Sequence, residues 1–324
     1  MTTSQSVRKT AIDGLIHANK ANKFNKAQAR AGYVNPLMLL SLLVLSLLVL
    51  SVLLASFNAQ SAESDRPPFY KIQYQGKQAY LLGSIHIGRG DFYPMPAQIE
   101  QAFSEAKALV VEADIAKANV PALLKRYGMS QIGENTSSSN ALHQYCVNNG
   151  ALCQALSGYA PWLKAAQISL YRFGSLGYQA DFGVDSYWVA KKGARPLLEL
   201  ESVAFQFELI SSFKPKTQQL MLDEAIAAED VEMLALIHAW RAGDSKALAD
   251  IMSEQADDAP ELVTELLWRR NHTMTAKIIE LFEANKDQLF IVIGAGHLVG
   301  EQAIPDLLKA KGVAIIECWK NDCK

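Results

Sequence analysis

"YLLGSIHIG", residues 80–88, ends an apolar, strand-like run at Gly83 and sets His86 three residues further on. "FIVIGAGHLVG", residues 290–300, repeats the layout with Gly294 and His297. Two such stretches, far apart in the chain, act together only if the fold lays their strands side by side. In open parallel sheets ligands collect at the carboxyl ends of the strands. If the two strands are neighbours there, both imidazoles face one cleft.

The surroundings of each stretch support a sheet. "FYKIQY" and "QAYLLG" flank Gly76 as a hairpin would. "MPAQIEQAFSEAKAL" places Ile99, Ala102, Phe103 and Ala106 at helical spacing, and "ALVVEADI" follows as a buried strand. Residues 78–115 thus read as a βαβ unit. The C-terminal part repeats it, with a long helix over 260–285, a strand over 288–293, a helix over 300–310 and a strand over 313–318. The middle, about 117–260, reads as helical, with "ARPLLELES" (194–202) a short strand candidate. The expected fold is α/β: a mostly parallel central sheet flanked by helices, with a helical insertion in the middle.

The N-terminus differs from the rest. Residues 36–57 carry no charge. At about 1.5 Å per residue such a helix crosses a bilayer core of about 30 Å. Arg8, Lys9, Lys20, Lys23, Lys26 and Arg30 precede it against Asp13 alone. The order therefore predicts a basic cytoplasmic segment (1–35), a transmembrane signal anchor (36–57), a polar linker (58–67) and an exported domain (68–324). A signal peptide cleaved near "NAQSA" (58–62), giving a secreted product, is the rival reading.

Four cysteines form two local pairs, Cys146 with Cys153 and Cys318 with Cys323. In an oxidising, periplasmic compartment each pair becomes a short disulfide; four ordinary thiols are the alternative. The 324 residues carry a formal charge of −2, and the domain has no basic stripe with interleaved aromatics. Nucleic acid is therefore not an expected partner.

Further residues belong with the paired histidines. Glu112 ends an apolar strand, where a carboxylate is costly unless paired; the plain alternative is a strand that has reached the surface. Two imidazoles and one carboxylate suit a catalytic divalent metal with open positions. Arg270 lies on the apolar stripe of the long helix, beside Asn271. A guanidinium turned inward needs an acceptor. That acceptor is a substrate oxyanion, or an internal partner such as Glu201 or Asp185. On sequence alone Glu201 and Asp185 read as helix-start caps. His143, His238 and His272 lack a glycine turn and read as surface or packing residues. No nucleophile elbow, His-Glu-x-x-His helix or phosphate loop is present.

Over about 70–318 the chain resembles the TraB/GumN family, which includes the animal TIKI proteins. "YLLGSIHIG…FYPMPAQIEQAFSEAKALVVEAD", "GVDSYWVAKKGARPLLELESVAFQ", "RRNHTMTAKI" and "FIVIGAGHLVGEQAIPDLLKAKG" carry the resemblance in order and spacing. It implies a metal-dependent hydrolase fold related to erythromycin esterase-like and ChaN-like proteins, and metallopeptidase activity in the TIKI branch. It also implies a divalent ion (Mn, Co or Zn) at His86 and His297, with Gly83 and Gly294 as motif glycines. Glu112 then serves as metal ligand or base, Arg270–Asn271 as a catalytic pair and Glu201 as the acid followed by Gln206. A peptide or small-molecule substrate follows from this reading. A non-catalytic binder of haem or a small peptide, using the same cleft, is the alternative, since ChaN-like relatives are linked to haem.

Overall fold

The computed structural model describes residues 62–130, 140–284, 288–321 and 323, with the side chains of 254–258 excluded. The expected basic segment and membrane anchor lie outside these residues. Among the described residues no helix is long and apolar enough to cross a membrane.

The described strands form one sheet. Strands β1 (Phe69–Tyr74) and β2 (Lys77–Ser84) form the expected hairpin. Gln75 and Gly76, with φ of 50° and 75°, make its two-residue turn, the left-handed pair that matches strand twist. Helix α1 (Ala97–Glu105) leads to β3 (Ala108–Val111). The middle contributes α2 (Val120–Tyr127), α3 (Asn140–Asn148), α4 (Gly150–Leu156), α5 (Pro161–Ser175) and α6 (Val184–Lys191), then β4 (Leu197–Glu199). Next come α7 (Val203–Ser211), α8 (Pro215–Ala227), α9 (Asp230–Ala242), α10 (Ser245–Asp258) and α11 (Pro260–Val263). A π-helical turn, Thr264–Trp268, joins α11 to α12 (Arg269–Ala284). The chain closes with β5 (Leu289–Gly294), α13 (Ile304–Ala310) and β6 (Ala314–Glu317).

The sheet is mixed rather than simply parallel. Pairs β2–β5, β5–β3 and β3–β4 are parallel, whereas β1 is antiparallel to both β2 and β6. The reason is local: a two-residue turn can only return antiparallel. The βαβ unit also skips a place, because β5 inserts between β2 and β3. β5 therefore is buried on both sides. Phe290 and Val292 meet Phe103, Trp188 and Trp240 on one face. Ile291 and Ile293 meet Met274, Ile278, Ile304 and Leu308 on the other. This double burial explains its unbroken apolar sequence.

The expected linker is docked from Ala62 on. Ala62 and Asp65 are buried, Arg241 pairs with Asp65 at 2.8 Å, and the Trp319 indole donates to the Pro67 carbonyl. Both expected disulfides are present, with Cα separations of 5.7 Å for Cys146–Cys153 and 5.2 Å for Cys318–Cys323.

Trp240 ties the helical layer to β2. It is fully buried, stacks on Phe92 with ring centroids 5.3 Å apart, and its indole N–H donates to the Gly83 carbonyl at 2.9 Å. Trp240→Phe leaves that buried carbonyl unpaired. We expect a loss of about 1–3 kcal/mol in urea unfolding; an unchanged midpoint would show that the bond contributes nothing.

Candidate metal and catalytic site

The sheet register brings the two glycine-histidine stretches together. Ser84 of β2 lies opposite Gly294 of β5, and Val111 of β3 lies opposite Val292. Glu112 thus leaves its strand at the same carboxyl edge as both turns. Close contacts account for both glycines. Neither has a positive φ. A Cβ on Gly294 would sit 2.9 Å from Glu112 Oε1, and one on Gly83 would sit 3.0 Å from Pro68 Cβ and 3.3 Å from Ala295 Cα. Close approach, not backbone strain, requires them.

Each histidine is held through Nδ1. His86 Nδ1 lies 2.8 Å from Asp185 Oδ2, and Ser84 Oγ donates to the other Asp185 oxygen at 2.7 Å. Its ring is 72% exposed to the cavity, and the Asp185 charge and hydrogen bond raise its pKa to about 9. His297 is buried. Its Nδ1 lies 2.6 Å from Asn271 Oδ1. The Asn271 amide nitrogen donates to the Gln302 carbonyl at 2.9 Å, so Oδ1 is the acceptor and His297 Nδ1 carries the hydrogen. The unprotonated Nε2 then faces Glu112 Oε1 at 3.8 Å. Burial lowers the His297 pKa to about 4, and the ring is neutral at pH 7.

Glu112 is buried, and burial alone would raise its pKa. The neighbouring His297, His86 and Arg270 and the Gly294 N–H outweigh burial and hold it at about 2. Gly294 N donates to Oε1 at 2.6 Å, and Arg270 Nη2 donates to Oε2 at 2.7 Å. Arg270 also donates from Nε and Nη2 to Glu201 at 2.8–3.1 Å and from Nη1 to the Leu266 carbonyl at 3.1 Å. The internal ion pair is therefore the partner that the inward guanidinium finds. Gln206 donates to both Glu112 and Glu201, at 3.3 and 3.4 Å.

Neither expected cap caps a helix. Ser202 is the N-cap of α7, accepting from Phe205 N, and Gly183 is the N-cap of α6. Glu201 instead holds Arg270, and Asp185 instead holds His86. A cap is a local rule, whereas the partners of these two carboxylates lie far away in sequence. Ser84 and Gln302 had no sequence signal. Gln302 takes a φ of 53°, unusual for a residue with a Cβ, and also bonds His272 at 3.0 Å.

His86, Glu112, Arg270 and His297 line one cavity of about 340 Å³. Among the described residues no three His, Cys, Asp or Glu side chains converge closely enough to cage an ion. The His297–Glu112 span of 3.8 Å is within the about 4.2 Å that two ligands at about 2.1 Å from one ion can reach. Glu112 Oε1 accepts one N–H and keeps a second lone pair. This donor set, a neutral imidazole beside an ionised carboxylate, fits a divalent ion.

A mixed α/β sheet with a histidine- and carboxylate-lined cleft at the ends of its parallel strands defines the class. The chain belongs to the TraB/PrgY/gumN family, whose profile matches residues 68–316. It is 24% identical over 239 residues to the uncharacterized protein YbaP of Shigella flexneri, covering 72% of this chain and 88% of YbaP. YbaP of Escherichia coli (strain K12) is also 24% identical, over 236 residues covering 71% of this chain and 87% of that protein. A metalloprotease TIKI homolog of Amphimedon queenslandica is 34% identical over 76 residues, 22% of this chain and 15% of that protein. No solved structure matches.

The buried neutral histidine makes acid stability testable. The folded pKa of His297, about 4, lies below its ordinary 6.5, so the unfolded chain binds the proton more readily. Its contribution is present above pH 6.5 and is lost as pH falls towards 4, on the order of a few kcal/mol. The melting temperature of the metal-free full chain should drop over this window, and His297→Gln should flatten the drop. A parallel profile for the variant would refute the assignment.

Proposed function

We propose that this protein is a membrane-anchored, extracytoplasmic, metal-dependent hydrolase of peptidase-like activity. The observation that carries the reading is the neutral His297 Nε2 facing the ionised Glu112 at 3.8 Å, next to an accessible His86. The partial likeness to a metalloprotease supports the same class. Its ion would be Mn, Co or Zn, held by the Nε2 atoms of His86 and His297 and by Glu112 Oε1. Such an ion supplies Lewis acidity and a bound water of lowered pKa.

The chain's own residues do the rest. Asn271 and Asp185 fix both imidazoles with Nε2 free, the arrangement that orients metal-binding histidines. Arg270, Glu201 and Gln206 keep Glu112 ionised and fixed, where it can hold the ion or take a proton. Arg270 is then a positioning residue rather than an oxyanion donor, since Nε and Nη2, which face the site's carboxylates, are taken by Glu112 and Glu201, and Nη1 gives one hydrogen to the Leu266 carbonyl. Asn271 positions His297 and does not meet substrate. Glu112 and Glu201 against one Arg270 leave a net negative charge at the site, which favours a cation. A binder of haem or a small peptide is the second reading, favoured by the apolar wall of the same cavity.

The basic N-terminal segment and the uncharged run 36–57 support an anchor with the domain outside the cytoplasm. The two disulfides support an oxidising compartment. A phosphatase reporter fused after Lys324 should be active only as an exported enzyme. Activity confined to a cytoplasmic reporter at the same place would remove the topology.

Metal analysis of the purified full chain tests the site. About one divalent ion per chain is expected, with His297→Ala and His86→Ala each lowering occupancy by about tenfold or more. Equal metal content in wild type and both variants would overturn the assignment. Because His86 carries a proton below its pKa of about 9, metal binding at pH 7.5 should release about one proton. Calorimetry in buffers of different ionisation enthalpy reads this directly, and affinity should rise with pH until that pKa is passed.

A further inference from the structure

The cavity has two unlike ends. Of the described residues that line it, the charged or titratable ones are His86, Glu112, Arg270 and His297, all at the strand ends. Ile85, Ile87 and Ala295 of the two turns share that end, and the opposite wall comes from helices. Leu170 and Phe173 come from α5, Leu236 from α9, Leu248 and Met252 from α10, and Leu267 from the π-helical turn. Ser169 is the polar exception on that side.

The wall touches the reacting end. A Cβ on Gly296 would meet Met252 Sδ at 3.0 Å and Leu267 Cδ2 at 3.7 Å. Met252 therefore lies against the turn that carries His297. A group seated on the wall is held next to the polar end. Leu170 is 42% exposed and forms part of the rim through which such a group enters.

Charge and size narrow what fits. Arg270 already pairs with Glu112 and Glu201, and His86 with Asp185, so each lining cation among the described residues is held by an acid before a substrate carboxylate arrives. Among the described residues that line it, no acid sits on the helical wall to meet a substrate amine. A volume of about 340 Å³ is at the small end of ligand sites. It accepts one large side chain with its flanking peptide groups, not a folded partner. Methionine adapts to differently shaped apolar groups.

We propose, resting on the peptide-hydrolase reading above, that this wall is a subsite for one large apolar side chain of the Leu, Met or Phe kind. The subsite seats that side chain beside the uncharged carbonyl presented to His297 and Glu112, with Met252 and Leu170 as specificity-determining residues.

Binding to the metal-free full chain tests the subsite apart from turnover. Fluorophore-labelled peptides of the form Ala-Ala-X-Ala-Ala, blocked at both ends, are titrated with X as Phe, Leu, Asp or Lys. Phe and Leu should bind about tenfold or more tightly than Asp or Lys. Met252→Lys should abolish that preference and favour Asp. Leu170→Lys, at the exposed rim, is the second variant and should weaken the preference without a folding cost. Equal affinity for all four peptides, no binding by any of them, or an unchanged preference in both variants would each overturn the proposal. The same peptides with metal restored separate the two readings. Side-chain preference without cleavage sinks the hydrolase and leaves the subsite. Cleavage without preference sinks the subsite and leaves the hydrolase.

Discussion

The structure of the site depends on keeping one carboxylate ionised inside the protein. Glu112 leaves a fully apolar strand and turns under the neighbouring one. Burial by itself would neutralise it. His297 and His86 oppose this through charge, and two direct hydrogen bonds complete the support: the Gly294 N–H on Oε1 and the Arg270 guanidinium on Oε2. Each support places a demand on a distant part of the chain. The first requires that residue 294 have no Cβ. The second requires an arginine buried on α12, which in turn requires Glu201 and the Leu266 carbonyl to satisfy the remaining donors. The π-helical turn just before Arg270 belongs to this set, because it supplies that carbonyl and shifts the helix face. Such turns recur at functional sites.

The two histidines share a motif but have opposite electrostatics. His297 is buried among apolar strands, and its Nδ1 partner is a neutral amide. Nothing compensates a positive charge there fully, and burial keeps the ring neutral. His86 faces the cavity and its partner is a carboxylate, so its charge is stabilised. The pair therefore offers one imidazole ready to donate electrons and one that holds a proton until something displaces it. Both Nδ1 atoms are engaged, and both Nε2 atoms remain for chemistry.

Much of this was legible in the sequence, and the failures have physical causes. The glycine-histidine layout was readable because its parts are adjacent. The hairpin and both disulfides were readable for the same reason. Glu112 stood out because an acid in an apolar strand contradicts its surroundings. Strand order was not legible: nothing local in "FIVIGAG" says that β5 inserts between β2 and β3 rather than beside β6. Asp185 and Glu201 misled because each stands at a helix start. The residues that claim them, His86 and Arg270, lie 99 and 69 positions away. The expected linker misled in the same manner, since Asp65 is polar in sequence but paired with Arg241 in the fold.

These observations combine into a constraint on charge. Glu112 and Glu201 against Arg270 leave one negative charge among buried groups, a costly excess in a low-dielectric setting. Protonated His86, drawn to Asp185, reaches far enough to act on Glu112. Its proton and a divalent cation would thus answer the same need, and both would use the same imidazole. A cation held by His297 and Glu112 would oppose the His86 proton by like-charge repulsion, and loss of that proton would leave Nε2 as a further donor. Asp185 holds the His86 ring in place through Nδ1. The register of β2 against β5 and of β5 against β3, rather than any single loop, fixes where His86, Glu112 and His297 meet.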